Sequence, residues 1–342
     1  MYLMGRLLRA LAHGDAEEAH GLAVRLAERI QNSPNLLGAI AWWYGASNIK
    51  PHKVFGIQFP NRIGWAGGFD KGARTVLLMQ ALGFGFGEVG TVLPRPQAGR
   101  DKPRYFYLPE DDALINRFGF NSEGMNTVAS RLRAIHPHLY IPLGINMGKM
   151  KDTPNEQAIE DYLAVWRALR QFGKFGVGNI SSPNTEGLRD LQGGRYIEGF
   201  ATRLVANEKI LSQARGQAPR PMLLKIAPDL NDAELDETAE ASERSGIAGI
   251  IIGNTTIARP KSLRSTNAQE TGGLSGDPLY RIMTNRLRRL RNITKLPLVA
   301  VGGIDSEVKL RNCFDLGADL AQVFTGFVYK GPRLVSALRR ID

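Results

Sequence analysis

Past residue 60 the chain alternates short apolar or β-branched runs with longer stretches of helical periodicity, and this alternation limits the folds open to it more than any other feature. The runs are "IGWAG" (63–67), "GEVGTV" (87–92), "IPLGIN" (141–146), "GVGNIS" (176–181), "MLLKIA" (222–227), "GIIIGN" (249–254), "LVAVGG" (298–303) and "LAQVFTG" (320–326). Short, nearly continuous apolar runs of this kind suit strands buried on both faces, as in a parallel sheet. Helix-start signals lie between them. Thr153, Pro154 and Glu156 read as a capping box with proline at the first helical position, and Asn231 with Glu234 as a second box whose helix ends at Gly246. Eight parallel strands interleaved with helices over about 280 residues predict the α/β class, and within it a (β/α)8 TIM barrel rather than two doubly wound domains.

A hydrophobic content of 43% fills a sizeable core. The single cysteine, Cys313, excludes a disulfide framework and a cysteine-rich zinc site, and its apolar neighbours on a helix suggest a buried structural thiol. No secretory signal pattern is expected, and no apolar run reaches the ~20 residues that span a bilayer. The net charge of +11 suits an anionic partner or a generally basic surface; Lys and Arg are spread rather than blocked, and no nucleic-acid partner is expected.

In a barrel of this type the active site lies at the C-terminal ends of the strands. Those ends carry Lys71, Thr91, Asn146, Asn179 with Ser182, Lys225, Asn254 with Thr255, Gly302 with Gly303, and Thr325 with Gly326. Any one is an ordinary turn residue; all eight ends together point to a site. The loops "VGGIDSE" and "FTGFVYKGP" occupy the usual phosphate position of the fold, so a phosphorylated ligand is expected. Lys225 closes an otherwise apolar strand and needs an anionic partner, either the electron-rich edge of a reduced isoalloxazine ring or a carboxylate. Asn116, Asn179, Asn184 and Asn254 offer donor and acceptor pairs that match an imide or pyrimidine edge, although each alone could form an Asx-turn.

With these motifs in order, and with "NRIGWAGGFDKGA", "LINRFGFNSEGMN", "GINMGKMKDTP", "NISSPNTEGLRDLQ", "GNTT" and "TGGLSG" among them, the chain resembles the dihydroorotate dehydrogenases from about residue 54 to 337. The resemblance implies FMN held by Gly67, Gly68, Phe69, Asp70, Lys71, Thr91, Asn146, Asn179, Lys225, Gly253, Gly276, Gly303, Phe324 and Thr325. It implies a dihydroorotate or orotate site at Lys71, Asn116, Arg117, Phe118, Gly119, Phe120, Asn179, Asn184, Asn254 and Thr255. The family's base position falls on Ser182, with Thr185 and Phe120 at the relay positions. Serine there is typical of the membrane-associated class that passes electrons to a quinone, ubiquinone or menaquinone, at the cytoplasmic side of the cell membrane.

Residues 1–48 are expected to form an amino-terminal helical segment for quinone access and membrane contact, and 49–342 the FMN-binding barrel. Ala19, Leu22, Ala23, Leu26 and Ile30 make an apolar face at helical spacing, and "NLLGAIAWWYG" (35–45) is apolar nearly all round. Read from the residues alone, the pair is better taken as a helical hairpin packed on the barrel; the resemblance is what favours membrane contact. Three positions depart from the family pattern: Gly253 where threonine is frequent, Phe324 where tyrosine is common, and Tyr107 where an arginine of the quinone tunnel is common. A tRNA dihydrouridine synthase, another FMN barrel, is disfavoured because its catalytic cysteine has no counterpart in Cys313, and a non-catalytic membrane scaffold would be colourless.

Overall fold

The eight predicted strands close on one another. In the computed structural model, which describes residues 15–45, 50–184 and 194–341, a hairpin of β1 (His52–Val54) and β2 (Ile57–Phe59) leads into barrel strands β3 (Ile63–Asp70) and β4 (Phe86–Val92). After β5 (Tyr105–Leu108) and β6 (Ala113–Asn116) the barrel continues through β7 (Leu143–Met147), β8 (Phe175–Asn179), β9 (Met222–Ile226) and β10 (Gly249–Ile252). Then β11 (Gly273–Gly276) precedes the last barrel strands, β12 (Leu298–Val301) and β13 (Leu320–Val323). Every barrel neighbour is parallel, and β13 pairs with β3 to complete the ring.

Alternation along the strands sorts the side chains into two cores. Outward residues such as Trp65, Val89, Ile145, Leu224 and Ala300 pack under the helices. Inward residues such as Phe86, Phe175, Leu223, Ile251 and Val299 fill the barrel. Gly64 and Gly144 make room for the two inward phenylalanines, since a Cβ there would lie 2.6 Å from the Phe86 ring and 2.3 Å from the Phe175 ring. Phe59 of the hairpin stacks edge-on against Phe86, with centroids 5.3 Å apart, and so plugs the end where the strands begin. The other end stays open beneath a small antiparallel sheet, β5–β6–β11.

Among the described residues, two helices precede the barrel: α1 (Ala16–Gln31) and α2 (Pro34–Tyr44). The outer layer comprises α3 (Val76–Ala81), α4 (Met125–Ile135), α5 (Ala158–Leu169), α6 (Gly194–Gln213), α7 (Asp232–Ser245), α8 (Asp277–Ile293), α9 (Glu307–Asp315), α10 (Thr325–Lys330) and α11 (Pro332–Arg339). The capping box at α7 forms with both arms, and Gly246 caps its C-terminus at φ +76°. The box expected at Thr153 does not form. Pro154 is extended, a 3-10 turn over Asn155–Gln157 intervenes, and α5 starts at Ala158. The buried Lys149 claims the Thr153 carbonyl, which bends the chain away from a helical start.

Asp15 caps α1 by accepting from the N–H groups of Glu17 and Glu18. The inner face of α1 uses Ala16, Ala19, Ala27, Ile30 and Gln31, whereas Leu26 of the predicted face is exposed. Arg104 clamps Glu17 at 2.8 Å and Arg74 meets Glu28 at 3.3 Å, tying α1 across the barrel mouth. Helix α2 rests on the core through Leu37, Ile40 and Tyr44 and turns Leu36, Trp42 and Trp43 outward, 51%, 82% and 71% exposed. Among the described residues no helix is long and apolar enough to cross a membrane.

Candidate active site

The open end of the barrel holds a cavity of about 930 Å³ including its mouth, a volume suited to a cofactor and a small substrate. One side is built from the ends of β11, β12 and β13. Gly276, Gly302, Gly303 and Gly326 bring bare backbone to the cavity there, beside Ser275 and Thr325 with their hydroxyl oxygens 2.8 Å apart. Gly303 has φ +68°, and a Cβ on it would lie 2.7 Å from the Gly276 carbonyl oxygen, so only glycine keeps this wall open. Such a surface of N–H and hydroxyl donors suits a phosphate.

The opposite side is made of amides, hydroxyls and lysines. Asn116, Asn179, Asn184, Asn254 and Thr255 all reach the cavity, as do Lys71, Thr91, Lys225 and Ser182. Asn179 Nδ2 donates to Thr91 Oγ1 at 3.0 Å and to Asn146 Oδ1 at 3.2 Å, and Asn254 Nδ2 donates to Ser181 Oγ at 2.7 Å. Lys225 is buried with its Nζ 3.8 Å from the Glu88 carboxylate, so it has a carboxylate partner and still borders the cavity. An anion-binding wall facing a wall of amides and a paired lysine matches the two ends of a flavin nucleotide.

Ser182 is buried, and its Oγ accepts the Asn184 N–H at 3.3 Å. Phe118, Gly119 and Phe120 form the lip above it; Phe120 adopts φ +55°. Lys71 stands at the entrance, its Nζ 3.9 Å from the centre of the Phe118 ring and donating to Asn121. Burial, then the charge of Arg104, push its ammonium down to about 7. Thr185 lies outside the described residues.

Several expected ligands stand one step back. Asn146 is wholly buried beneath the cavity. Phe69 packs edge-on against Phe324 and Phe327, and Asp70 accepts from the N–H groups of Arg74 and Thr75. Arg117 turns away to pair with Glu270 at 2.6 Å. Gly253 has φ +111°, and a Cβ there would fall 1.9 Å from the Val301 carbonyl oxygen, so this backbone admits no side chain. Ser275, Gln322 and Ala66, which the sequence reading did not single out, line the cavity.

A second cleft, about 1810 Å³ and open to solvent, separates α1 from the barrel mouth. Its wall shares Gly68, Lys71, Phe118 and Phe324 with the first cavity. His20 projects from α1 into it against Phe69 and Tyr105, with centroids 6.3 and 5.9 Å away. Burial, then the nearby Lys71 charge, push this imidazole down to about 4. Tyr107 lies outside both cavities, stacked with Tyr105 and Tyr329. Cys313 is buried under α9, and burial raises its thiol to about 12, which makes it inert.

Comparison with known proteins agrees with this geometry. The family described as Dihydroorotate dehydrogenase matches residues 51–340. A "Dihydroorotate dehydrogenase (quinone)" of Thermus thermophilus is 44% identical over 99% of this chain and 96% of its own length. Its counterpart from Pseudoalteromonas translucida is 42% identical over 95% of each chain. Among solved structures, the Eimeria tenella DHODH in complex with ferulenol superposes with a TM-score of 0.86 at 34% identity, covering 95% of this chain and 90% of that one. Identity at this level along nearly the whole length, on the same barrel, means that the chain belongs to the dihydroorotate dehydrogenase family.

Proposed function

We propose that this protein oxidises dihydroorotate to orotate for pyrimidine synthesis and delivers the electrons to a membrane quinone, ubiquinone or menaquinone, with FMN as its flavin. The observation that carries the reading is the pair of cavities sharing one wall at Gly68, Lys71, Phe118 and Phe324, which gives each half-reaction its own approach to one centre. FMN, when bound, supplies the hydride acceptor; Gly276, Gly303, Ser275 and Thr325 would hold its phosphate, and Lys225, Asn179 and Thr91 its ring.

Asn116, Asn184, Asn254 and Thr255 orient the substrate ring, and Lys71 meets its carboxylate. Ser182 Oγ takes the proton from the substrate's C5. A neutral hydroxyl is a weak base, so it must give up its own proton as it takes the one from C5. The Asn184 N–H directed at Ser182 Oγ favours the alkoxide character this develops, whereas burial opposes a bare charge and so requires the two transfers to be coupled. The Thr185 hydroxyl takes up the proton that Ser182 releases, and Phe120 shields that path from solvent.

Residues 1–48 serve the quinone and the membrane, and 49–342 the chemistry. The outward tryptophans of α2 lie on the membrane surface at its cytoplasmic side, and the cleft under α1 admits the quinone. The test is optical. Purified protein should be yellow, release FMN on denaturation, bleach with dihydroorotate and recover its colour on addition of a quinone. Flavin that does not bleach with dihydroorotate would refute the assignment.

A further inference from the structure

The interior of a (β/α)8 barrel is normally filled by branched apolar side chains. At and beneath the floor of this cavity inward residues are polar instead, among them Glu88 on β4, Asn146 on β7, Lys225 on β9 and Gln322 on β13, all buried. Glu88 is at their centre, 0% exposed and one layer beneath the cavity floor. A carboxylate accepts hydrogen bonds and donates none. Its Oε1 accepts from Gln322 Nε2, and its Oε2 accepts from Asn146 Nδ2 at 2.6 Å. Lys225 Nζ stands 3.8 Å from the same Oε2.

This single acceptor fixes the direction of a whole chain of groups. With its amide nitrogen held by Glu88, Asn146 must present Oδ1 upward, where it accepts from Thr91 Oγ1 at 2.7 Å and from Asn179 Nδ2. Asn179 then offers Oδ1 to Ser181 Oγ at 2.8 Å, and that hydroxyl accepts from Asn254 Nδ2 at the cavity wall. Gln322, its nitrogen likewise committed, is left with a buried Oε1 that has no partner and borders the cavity.

We propose that Glu88 is a positioning residue that sets the reduction potential of the bound flavin, an inference that rests on the flavin reading of this cavity. The carboxylate offsets the charge of Lys225 and orients the amides facing the ring. Lysine alone would favour negative charge on the ring and hold electrons there. With the carboxylate beneath it, electrons can pass on to the second acceptor.

The experiment is a spectroscopic redox titration of the flavin-loaded protein. Glu88→Gln keeps the shape and removes the charge. The midpoint potential is expected to rise by ~30 mV or more, equivalent to a tenfold change for a two-electron couple. Lys225→Met should move it the opposite way. Gln322→Leu, which removes a hydrogen bond from the same carboxylate but keeps its charge, should lower Tm and shift the potential less. A loaded Glu88→Gln protein with the parent potential, or an equal shift from Gln322→Leu, overturns the proposal. Should Glu88→Gln fail to fold, Glu88→Asp, which withdraws the charge by one methylene, must raise the potential by a smaller amount, and no rise is again a refutation. Failure of the flavin reading is distinguishable, because the parent protein itself would then be colourless.

Discussion

At the scale of single residues, the site combines weak groups with environments that strengthen them. Ser182→Ala removes the proposed base while leaving the cavity's other walls intact, so FMN content should be unchanged and dihydroorotate oxidation should slow by about 10²- to 10⁴-fold. Stopped-flow bleaching at saturating substrate measures this, and an unaltered rate would remove Ser182 from the mechanism. Lys71 makes a pH prediction. Its ammonium is pushed down to about 7 in the unliganded protein, so a growing fraction is neutral above that pH. A ligand carboxylate binds the protonated form, and orotate affinity should weaken as pH rises above 7, by up to ~10-fold per unit. Titration in buffers from pH 6 to 9 would show it; a flat profile would place the carboxylate elsewhere. Lys225 could be read as a site residue because one cation interrupts an apolar strand. Glu88 and Gln322 interrupt theirs in the same way, within "GEVGTV" and "LAQVFTG", and the same reasoning applied to them points to the floor of the site. Which of the amides touch the cavity and which stand behind it could not be read, since Asn146 and Asn179 both end strands and differ only in height.

At the scale of elements, the eight barrel strands were legible because each is short, apolar and bounded by turn residues, whereas the start of α5 was not. Thr153 has the right spacing for a cap, but its carbonyl is claimed by the side chain of Lys149 four residues earlier, a competing local bond that the capping pattern does not announce. The seating of α1, by contrast, is tertiary, set by Arg104 and Arg74 on the barrel side. His20 gives this helix a pH signature. Burial holds its folded pKa at about 4, below the ordinary 6.5 of an imidazole in the unfolded chain, so between those values the unfolded chain binds more protons. The contribution of His20 to stability is therefore full above pH 6.5 and is lost as pH falls through 4. His20→Gln, which cannot take up that proton, should flatten this part of the acid limb by ~1–3 kcal/mol. Urea unfolding of parent and variant between pH 4 and 7 is the measurement. Parallel curves would mean that the imidazole is hydrated and not held in the cleft.

At the scale of the whole molecule, the barrel and the amino-terminal pair present different surfaces to solvent. The sequence showed that 35–45 is apolar nearly all round, but not which side would meet the barrel. The fold divides the helix: Leu37, Ile40 and Tyr44 go inward, and Trp42 and Trp43 stay outside, their ring centroids 6.1 Å apart. Tryptophan suits the boundary between headgroups and hydrocarbon, and the exposed face of α2 carries no charge to oppose insertion. The net charge of the chain favours the same surface, since +11 attracts anionic lipid. Replacing both residues, Trp42→Ser with Trp43→Ser, changes side chains that support little of the folded core. Stability should therefore move by less than ~1 kcal/mol, and reoxidation by a small water-soluble acceptor should be unchanged. Binding to vesicles containing anionic lipid should fall by about tenfold or more, as expected from removing two large buried apolar surfaces from an interface. Turnover with a long-tailed quinone delivered in those vesicles should fall with it. Sedimentation with vesicles and the ratio of the two turnover rates separate docking from folding, and a double variant that binds and reduces vesicle quinone like the parent would assign α2 to packing alone.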